Sequence, residues 1–317
     1  MFYICEDVRQ GKSTGVNMTA SEISAETVLE VRGLKRNFGR VLAVDGVDLT
    51  VPRGQIYGFL GINGAGKTTT IRMIMGIISP DAGTIRMVGE TSRSASVKQR
   101  QRIGYVSQEQ NFYPWMTCKG LGKFVSSFYP SWDAVEFARI LDVFSLPPDR
   151  KASQLSGGMR AKLALALAVA HKPELLILDE PTAGLDPLAR AEFMEIIVAN
   201  SRKSQRTTFF SSHLVDEVER CADRIGIIHE GRMKVECTLH ELRDRVRRLT
   251  LQPGTSFEVP PQFELLRDRT VDGIDQLDLR ANPEQWDALV LPAGVSVHRL
   301  SLEAIFIASV SQERIVL

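Results

Sequence analysis

Residues Gly61–Thr70 read GINGAGKTTT, and this stretch decides the fold. QIYGFL (Gln55–Leu60) precedes it, a short apolar run suited to a strand, and IRMIMGII follows in a helical pattern. Strand, glycine-rich loop and helix, in that order, are the context in which G-x-x-x-x-G-K-[ST] binds nucleotide phosphates. Gly61, Gly66, Lys67 and Thr68 satisfy its spacing. The glycines let the backbone curl until several N–H groups face one phosphate. Lys67 supplies a charge to the β- and γ-phosphates, and Thr68 offers a hydroxyl to Mg²⁺. A glycine turn with an incidental lysine is the plain alternative. The full spacing, with a strand before and a helix after, disfavours it.

Three further runs end where such a site would need side chains. LLILDE (Leu175–Glu180) begins with four apolar residues, as a strand buried on both faces of a parallel sheet does. Asp179 emerges at its carboxyl end, where ligands bind in open α/β sheets, placed to hold Mg²⁺. Glu180 can face the γ-phosphate and polarise an attacking water. The predicted strand Ile103–Ser107 ends on Gln108, whose amide could reach Mg²⁺ or that water. TTFFSSHLVDEVE (Thr207–Glu219) reads as strand, turn and helix, with His213 at the turn. LSGGM (Leu155–Met159) stands ahead of the apolar stretch Ala161–Ala170. A serine and two glycines at a helix start suit an anion, because the N–H groups are free and the dipole is positive there. The chain therefore carries two anion-binding helix starts.

In this order, with AGLD at Ala183–Asp186, the set resembles the ATP-binding subunit of ABC transporters over about residues 28–240. Met159 is a departure, since the family most often has glutamine there. The resemblance implies an α/β fold: a P-loop NTPase core with an antiparallel β subdomain and a helical subdomain. It implies ATP and Mg²⁺ as cofactors. The ATP-binding set would be Gly61, Ile62, Asn63, Gly64, Ala65, Gly66, Lys67, Thr68 and Thr69, with Phe38 stacked on adenine and Val44 packed nearby. Thr68, Gln108 and Asp179 would serve the metal. Glu180 matches the general base, His213 the residue that steadies γ-phosphate and water, and Gln108 completes the catalytic set. In the family two subunits stack head to tail. Ser156, Gly157 and Gly158 would then bind the γ-phosphate held by the partner chain, and Asp186 would couple the two sites. A homodimer and a separate transmembrane permease are the expected partners, at the cytoplasmic face of the cell membrane.

The remaining sequence sets the organisation. The chain has 317 residues, 44% hydrophobic, with net charge +1, enough for one large domain and a smaller one. The balanced charge gives no case for nucleic acid as a partner. No cysteine spacing resembles a zinc site, and the first residues do not read as a secretion signal. The longest apolar run near the second anion site, Leu163–Ala170, is far short of a membrane span. Residues 1–27 read as a loosely held tail, with Met18 as an alternative start to Met1. Residues 28–248 form the predicted ATPase domain, strand-rich to about Gly89, with a helical subdomain at about 111–160. Nine of the 22 aromatics fall in Phe112–Phe144, mostly as subdomain core. The resemblance implies that a groove beside this subdomain receives a membrane subunit, with Phe112, Tyr113 and Trp115 as candidates for that contact. Arginines at 243, 245, 247 and 248 read as a solvated helix end rather than a lipid patch. Residues 249–317 read as a small α/β extension: strand-like SFEVP, IDQLDLR and VSVHRL, then SLEAIFIASV as a helix capped by Ser301. That ending, the single cassette and YPSWD (Tyr129–Asp133) resemble the ABC-2-type group, commonly exporters. A stabilising flap and a dimerising or regulatory module are both open for the extension. The competing function is a soluble ABC ATPase acting on nucleic acid or ribosomes, disfavoured by the lack of a coiled-coil insertion or a second cassette.

Overall fold

The computed structural model describes residues 27–92, 96–311 and 315–316. Residues 1–26 of the predicted N-terminal tail, with its two candidate start methionines and Cys5, lie outside the described residues, and Thr27 already belongs to β1. The chain begins with β1 (Thr27–Phe38) and β2 (Val41–Pro52), then crosses to β3 (Ile56–Leu60) and helix α1 (Lys67–Ile74). β4 (Ala82–Met87) and β5 (Glu90–Ser92) return to β1, completing an antiparallel sheet in the order β2-β1-β4-β5. Helix α2 (Val97–Gln101) leads into β6 (Ile103–Val106). The helical subdomain follows, with α3 (Cys118–Ser126), α4 (Ala134–Val143), a tight turn at Ala152–Gln154 and α5 (Gly157–Val169). β7 (Leu175–Asp179), α6 (Pro187–Lys203), β8 (Thr207–Ser212), α7 (Val215–Cys221), β9 (Arg224–His229) and β10 (Arg232–Thr238) complete the central layer. Its order is β10-β9-β3-β8-β7-β6, parallel except at the β10 edge.

The central strands are apolar because both of their faces are covered. Every residue of β3, β7 and β8 is buried. Alternate side chains enter two different cores. Ile56, Leu176, Leu178 and Phe210 join the helices of the α5 side. Tyr57, Phe59, Leu175, Ile177 and Phe209 join α1 and the antiparallel sheet. The Phe209 ring lies 5.3 Å from Tyr57 and 5.4 Å from Phe59, cementing β8 to β3. Gly58 has a close neighbour on the other face, where a Cβ would stand 2.7 Å from Val218 Cγ1. Glycine there lets α7 lie directly on β3.

Helix α8 (Leu239–Arg245) leads to a five-stranded sheet of order β14-β11-β13-β12-β15. Its strands are β11 (Val246–Leu251), β12 (Glu264–Val271), β13 (Ile274–Arg280), β14 (Val295–Arg299) and β15 (Ile315–Val316). Helix α9 (Pro283–Asp287) follows β13, and α10 (Leu302–Val310) follows β14. Three expectations change here. The boundary drawn at 248/249 falls inside β11, so Arg247 and Arg248 are strand residues. Arg247 lies over the Trp286 ring at 5.1 Å, and Arg248 pairs with the buried Asp278 at 2.6 Å. SFEVP forms no strand, because its last residue Pro260 and the following Pro261 cannot donate to a ladder. β12 was not foreseen, its charged side chains masking a strand that is only half-buried. Ser301 caps α10 as expected, accepting from Ala304 N at 3.2 Å.

One buried histidine ties the helical subdomain to the central sheet. His171, after α5, stacks on Tyr129 at 4.0 Å, and its Nε2 lies 3.2 Å from Ile103 O on β6. Burial lowers its pKa from 6.5 to about 4. The unfolded chain therefore takes up this proton first, so stability is intact above pH 6.5 and falls as pH drops toward 4. The His171 contribution to that loss is on the order of 3 kcal/mol. Urea unfolding of the wild type and His171→Gln at pH 7 and pH 4.5 should show a smaller pH dependence in the variant.

Candidate functional site

The loop after β3 turns sharply into α1. Gly66 caps that helix with φ +105, and a Cβ on it would meet Ala43 O at 2.6 Å. Only glycine fits there, and the turn aims the first amides of α1 at the mouth of the loop. Lys67 is almost wholly buried, 4% exposed. Its Nζ donates to Gly61 O at 2.8 Å and Ile62 O at 3.0 Å, and pairs with Glu180 Oε1 at 3.0 Å. Within this cluster its three N–H groups are therefore fully engaged.

Glu180 follows β7 with a left-handed φ of +44, which swings its carboxylate back toward the loop. Its other oxygen, Oε2, lies 3.0 Å from His213 Nδ1. A carboxylate oxygen only accepts, so Nδ1 carries the hydrogen and Nε2 of a neutral ring is free to accept. Ser211, on β8, donates to Asp179 Oδ1 at 2.9 Å and accepts from Glu180 N at 2.9 Å. Thr68 Oγ1 donates to the same Asp179 oxygen at 3.1 Å. Burial raises the Asp179 pKa, and the two hydroxyls oppose that rise. Glu217 on α7 accepts from Thr182 Oγ1 at 2.6 Å and Ser212 Oγ at 2.5 Å, fixing the chain where β7 and β8 end.

The structure thus joins Lys67, Thr68, Asp179, Glu180 and His213 in one cluster at the carboxyl ends of β3, β7 and β8. Gln108, past β6, is exposed, and its side chain has no hydrogen-bond partner among the described residues. Phe38 ends β1, 47% exposed with the Arg36 guanidinium 4.9 Å from its ring. Val44 is a core residue with no exposed surface, so it can support a ligand contact only from beneath. Ser156 caps α5 through Met159 N at 3.3 Å, and Ser156 and Gly157 are exposed. Asp186 caps α6 by accepting from Leu188 N and Ala189 N. Ser211 and Glu217 escaped sequence reasoning. The pair Ser211–Ser212, polar at the carboxyl end of a strand just after Phe209 and Phe210, was the available signal.

Thr68 and Asp179 are both hard oxygen donors, a set suited to Mg²⁺ that also binds nucleotide phosphates. Among the described residues no group of three or more His, Cys, Asp or Glu side chains could hold a metal without such help. The site is that of a P-loop nucleoside triphosphatase. A family model for ABC transporters matches residues 44–183. The bacitracin transport ATP-binding protein BcrA of Bacillus licheniformis is 36% identical over 224 residues, 70% of this chain and 73% of that protein. The Nod factor export ATP-binding protein I of Burkholderia lata is 40% identical over 223 residues, 68% of this chain and 72% of its own length. A solved ATP-binding subunit of an ABC transporter superposes with TM-score 0.61 at 29% identity, covering 68% of this chain and 92% of that one. The chain belongs to the ATP-binding, ATP-hydrolysing subunits of ABC transporters.

The buried Lys67–Glu180 pair has a thermodynamic signature. Removing one partner strands the other charge out of water. Lys67→Ala is expected to destabilise by about 3 kcal/mol, and Lys67→Ala/Glu180→Gln by clearly less. Urea unfolding of the two single variants and the double variant measures this. Purely additive losses would show that the pair is not coupled.

Proposed function

We propose that this chain powers an exporter as a head-to-tail homodimer, hydrolysing Mg²⁺-ATP at two sites that each draw on both copies. The observation that carries this is a division of parts. The P-loop lysine, both carboxylates and His213 cluster within one copy, while at the amide end of α5 Ser156 and Gly157 are exposed, Gly158 is half-buried, and none of the three hydrogen-bonds to that cluster. A free helix start with two glycines is an anion site in want of an anion. A partner's γ-phosphate supplies it.

In this reading the loop amides and Lys67 hold the β- and γ-phosphates, and Phe38 offers its exposed face to adenine. Thr68 and Asp179 hold Mg²⁺, with Gln108 reaching in from β6. The metal, when bound, neutralises phosphate charge. A phosphate that takes Lys67 must share it with Glu180, loosening that carboxylate to accept a proton from water. His213, held through Nδ1, presents Nε2 to the γ-phosphate side. Asp186 lies next to the exposed Leu188 (70% exposed), a surface suited to the partner copy.

Coupling to a permease is proposed at the helical subdomain. Trp115, Tyr113, Phe124 and Phe128 form a chain of ring contacts at 5.3–5.7 Å, and all four are exposed. Phe112 is instead packed against the core and leaves the candidate contact set. Among the described residues no helix is long and apolar enough to cross a membrane, which supports a separate membrane chain. Export is supported by the similarity to the Nod factor export ATP-binding protein I.

Glu180→Gln should bind ATP, turn over about 100-fold or more slowly, and elute as a dimer only with ATP. Adding Ser156→Arg should abolish the dimer and keep nucleotide binding. Sizing chromatography with ATP decides it. A dimer indifferent to Ser156→Arg sinks the shared site.

A further inference from the structure

Behind the His213 turn the molecule has a second concavity, which none of the P-loop residues lines. It is a cavity of about 780 Å³ between α6, α7 and the C-terminal helix α10. That volume is in the range of sites for drug-sized molecules. Its walls are apolar: Met194 and Val198 from α6, Val215 from α7, and Phe306 and Ile307 from α10. Ile307 is 37% exposed, so this part of the wall lacks cover.

The charged lining is unbalanced. Arg190 and Arg220 stand against Glu195, Asp216, Glu217 and Glu303. Arg190 is already engaged by Glu217 at 3.7 Å and by Leu185 O at 3.2 Å. Glu195, Asp216 and Glu303 have no ion-pair partner among the described residues, and Arg220 is the other arginine of the lining, beside the His213 ring that Glu180 engages. An apolar chamber with a surplus of carboxylates at its rim suits a molecule with an apolar body and one positive charge. Phe306 adds an aromatic surface for the cationic end.

We infer that this cavity is a binding site for an amphiphilic organic cation, adjoining the nucleotide site at His213. Its floor is continuous with the catalytic supports. Glu217 lines the cavity and holds Ser212, the residue before His213, and Thr182, two residues after Glu180. His213 itself lines it, together with Leu214 and Val215 after it. An occupant pressing on this wall bears on the turn that orients His213.

The test uses the full chain with rhodamine 6G as a cationic probe and fluorescein as its anionic counterpart, read by fluorescence anisotropy. The wild type should bind rhodamine 6G saturably and ignore fluorescein. Glu195→Lys/Glu303→Lys, two exposed positions outside the catalytic cluster, should weaken rhodamine 6G roughly tenfold or more. Val198→Trp, which fills the chamber, should weaken it without changing the charge. Melting curves check that both variants remain folded, and either variant alone suffices for the test. Absence of saturable binding, or binding that neither change affects, overturns the assignment. So does a charge variant that alters self-association and leaves the probe's affinity intact, since the cavity would then serve a contact between copies. These readouts are independent of nucleotide turnover, so they do not stand or fall with the exporter reading.

Discussion

The ion pair between Lys67 Nζ and Glu180 Oε1 constrains the rest of the site. Both side chains are nearly closed off from water, at 4% and 9% exposed. Each charge alone would cost several kcal/mol in that position, so the two must arrive together. They stand beyond different strands, Lys67 opening α1 after β3 and Glu180 following β7, with β8 lying between those strands. Register brings them level: Leu60 is opposite Ser212, and Asp179 is opposite Ser211. A slip of two residues would move one end by about 6.6 Å and separate the charges. The all-apolar faces of β3, β7 and β8 hold the register, because any slip exchanges core contacts on both sides of the sheet.

The same arrangement explains why β8 ends in serines. Two carboxylates adjoin at the end of β7, and Asp179 carries an oxygen shared by two hydroxyl donors. Ser211 serves both acids, giving its proton to one and taking the amide hydrogen of the other. A larger side chain would force β7 and β8 apart, and an apolar one would leave a buried amide unpaired. Ser212, one residue on, faces the opposite way and reaches Glu217. Alternation along one strand therefore divides the labour, one serine for the nucleotide side and one for the α7 side.

Much of this was legible in the sequence, for a physical reason. A strand buried on both faces must be apolar throughout, so QIYGFL, LLILDE and TTFFSS announce themselves, and their carboxyl ends locate the site. The loop spacing is dictated by backbone geometry, with Gly66 admitting no substitute beside Ala43 O. What stayed hidden depends on neighbours remote in sequence. Val44 is apolar in either role, and only the fold shows that no part of it is exposed. Phe112 and Tyr113 are adjacent aromatics, yet one packs inward and the other lies at the surface. Arg248 looks like a solvated cation until Asp278 is found opposite it on β13. The half-buried strand β12 has neither clean alternation nor a continuous apolar run, which are the two signals periodicity can detect.

The C-terminal extension is joined to the ATPase domain by more than its linker. Its own core comprises Leu249, Leu251, Leu277, Leu279 and Trp286, yet Val246, Leu302, Ile305 and Phe306 belong to the main core instead. The first strand and the last helix thus penetrate the larger domain at both ends of the extension. Helix α10 packs on α7, the helix whose Glu217 fixes the turns after both catalytic strands. A flap that merely covered surface would not need to share a core. Embedding α10 beside α7 makes the extension part of the wall that holds His213 in place, so a displacement of the extension would be felt first at that turn.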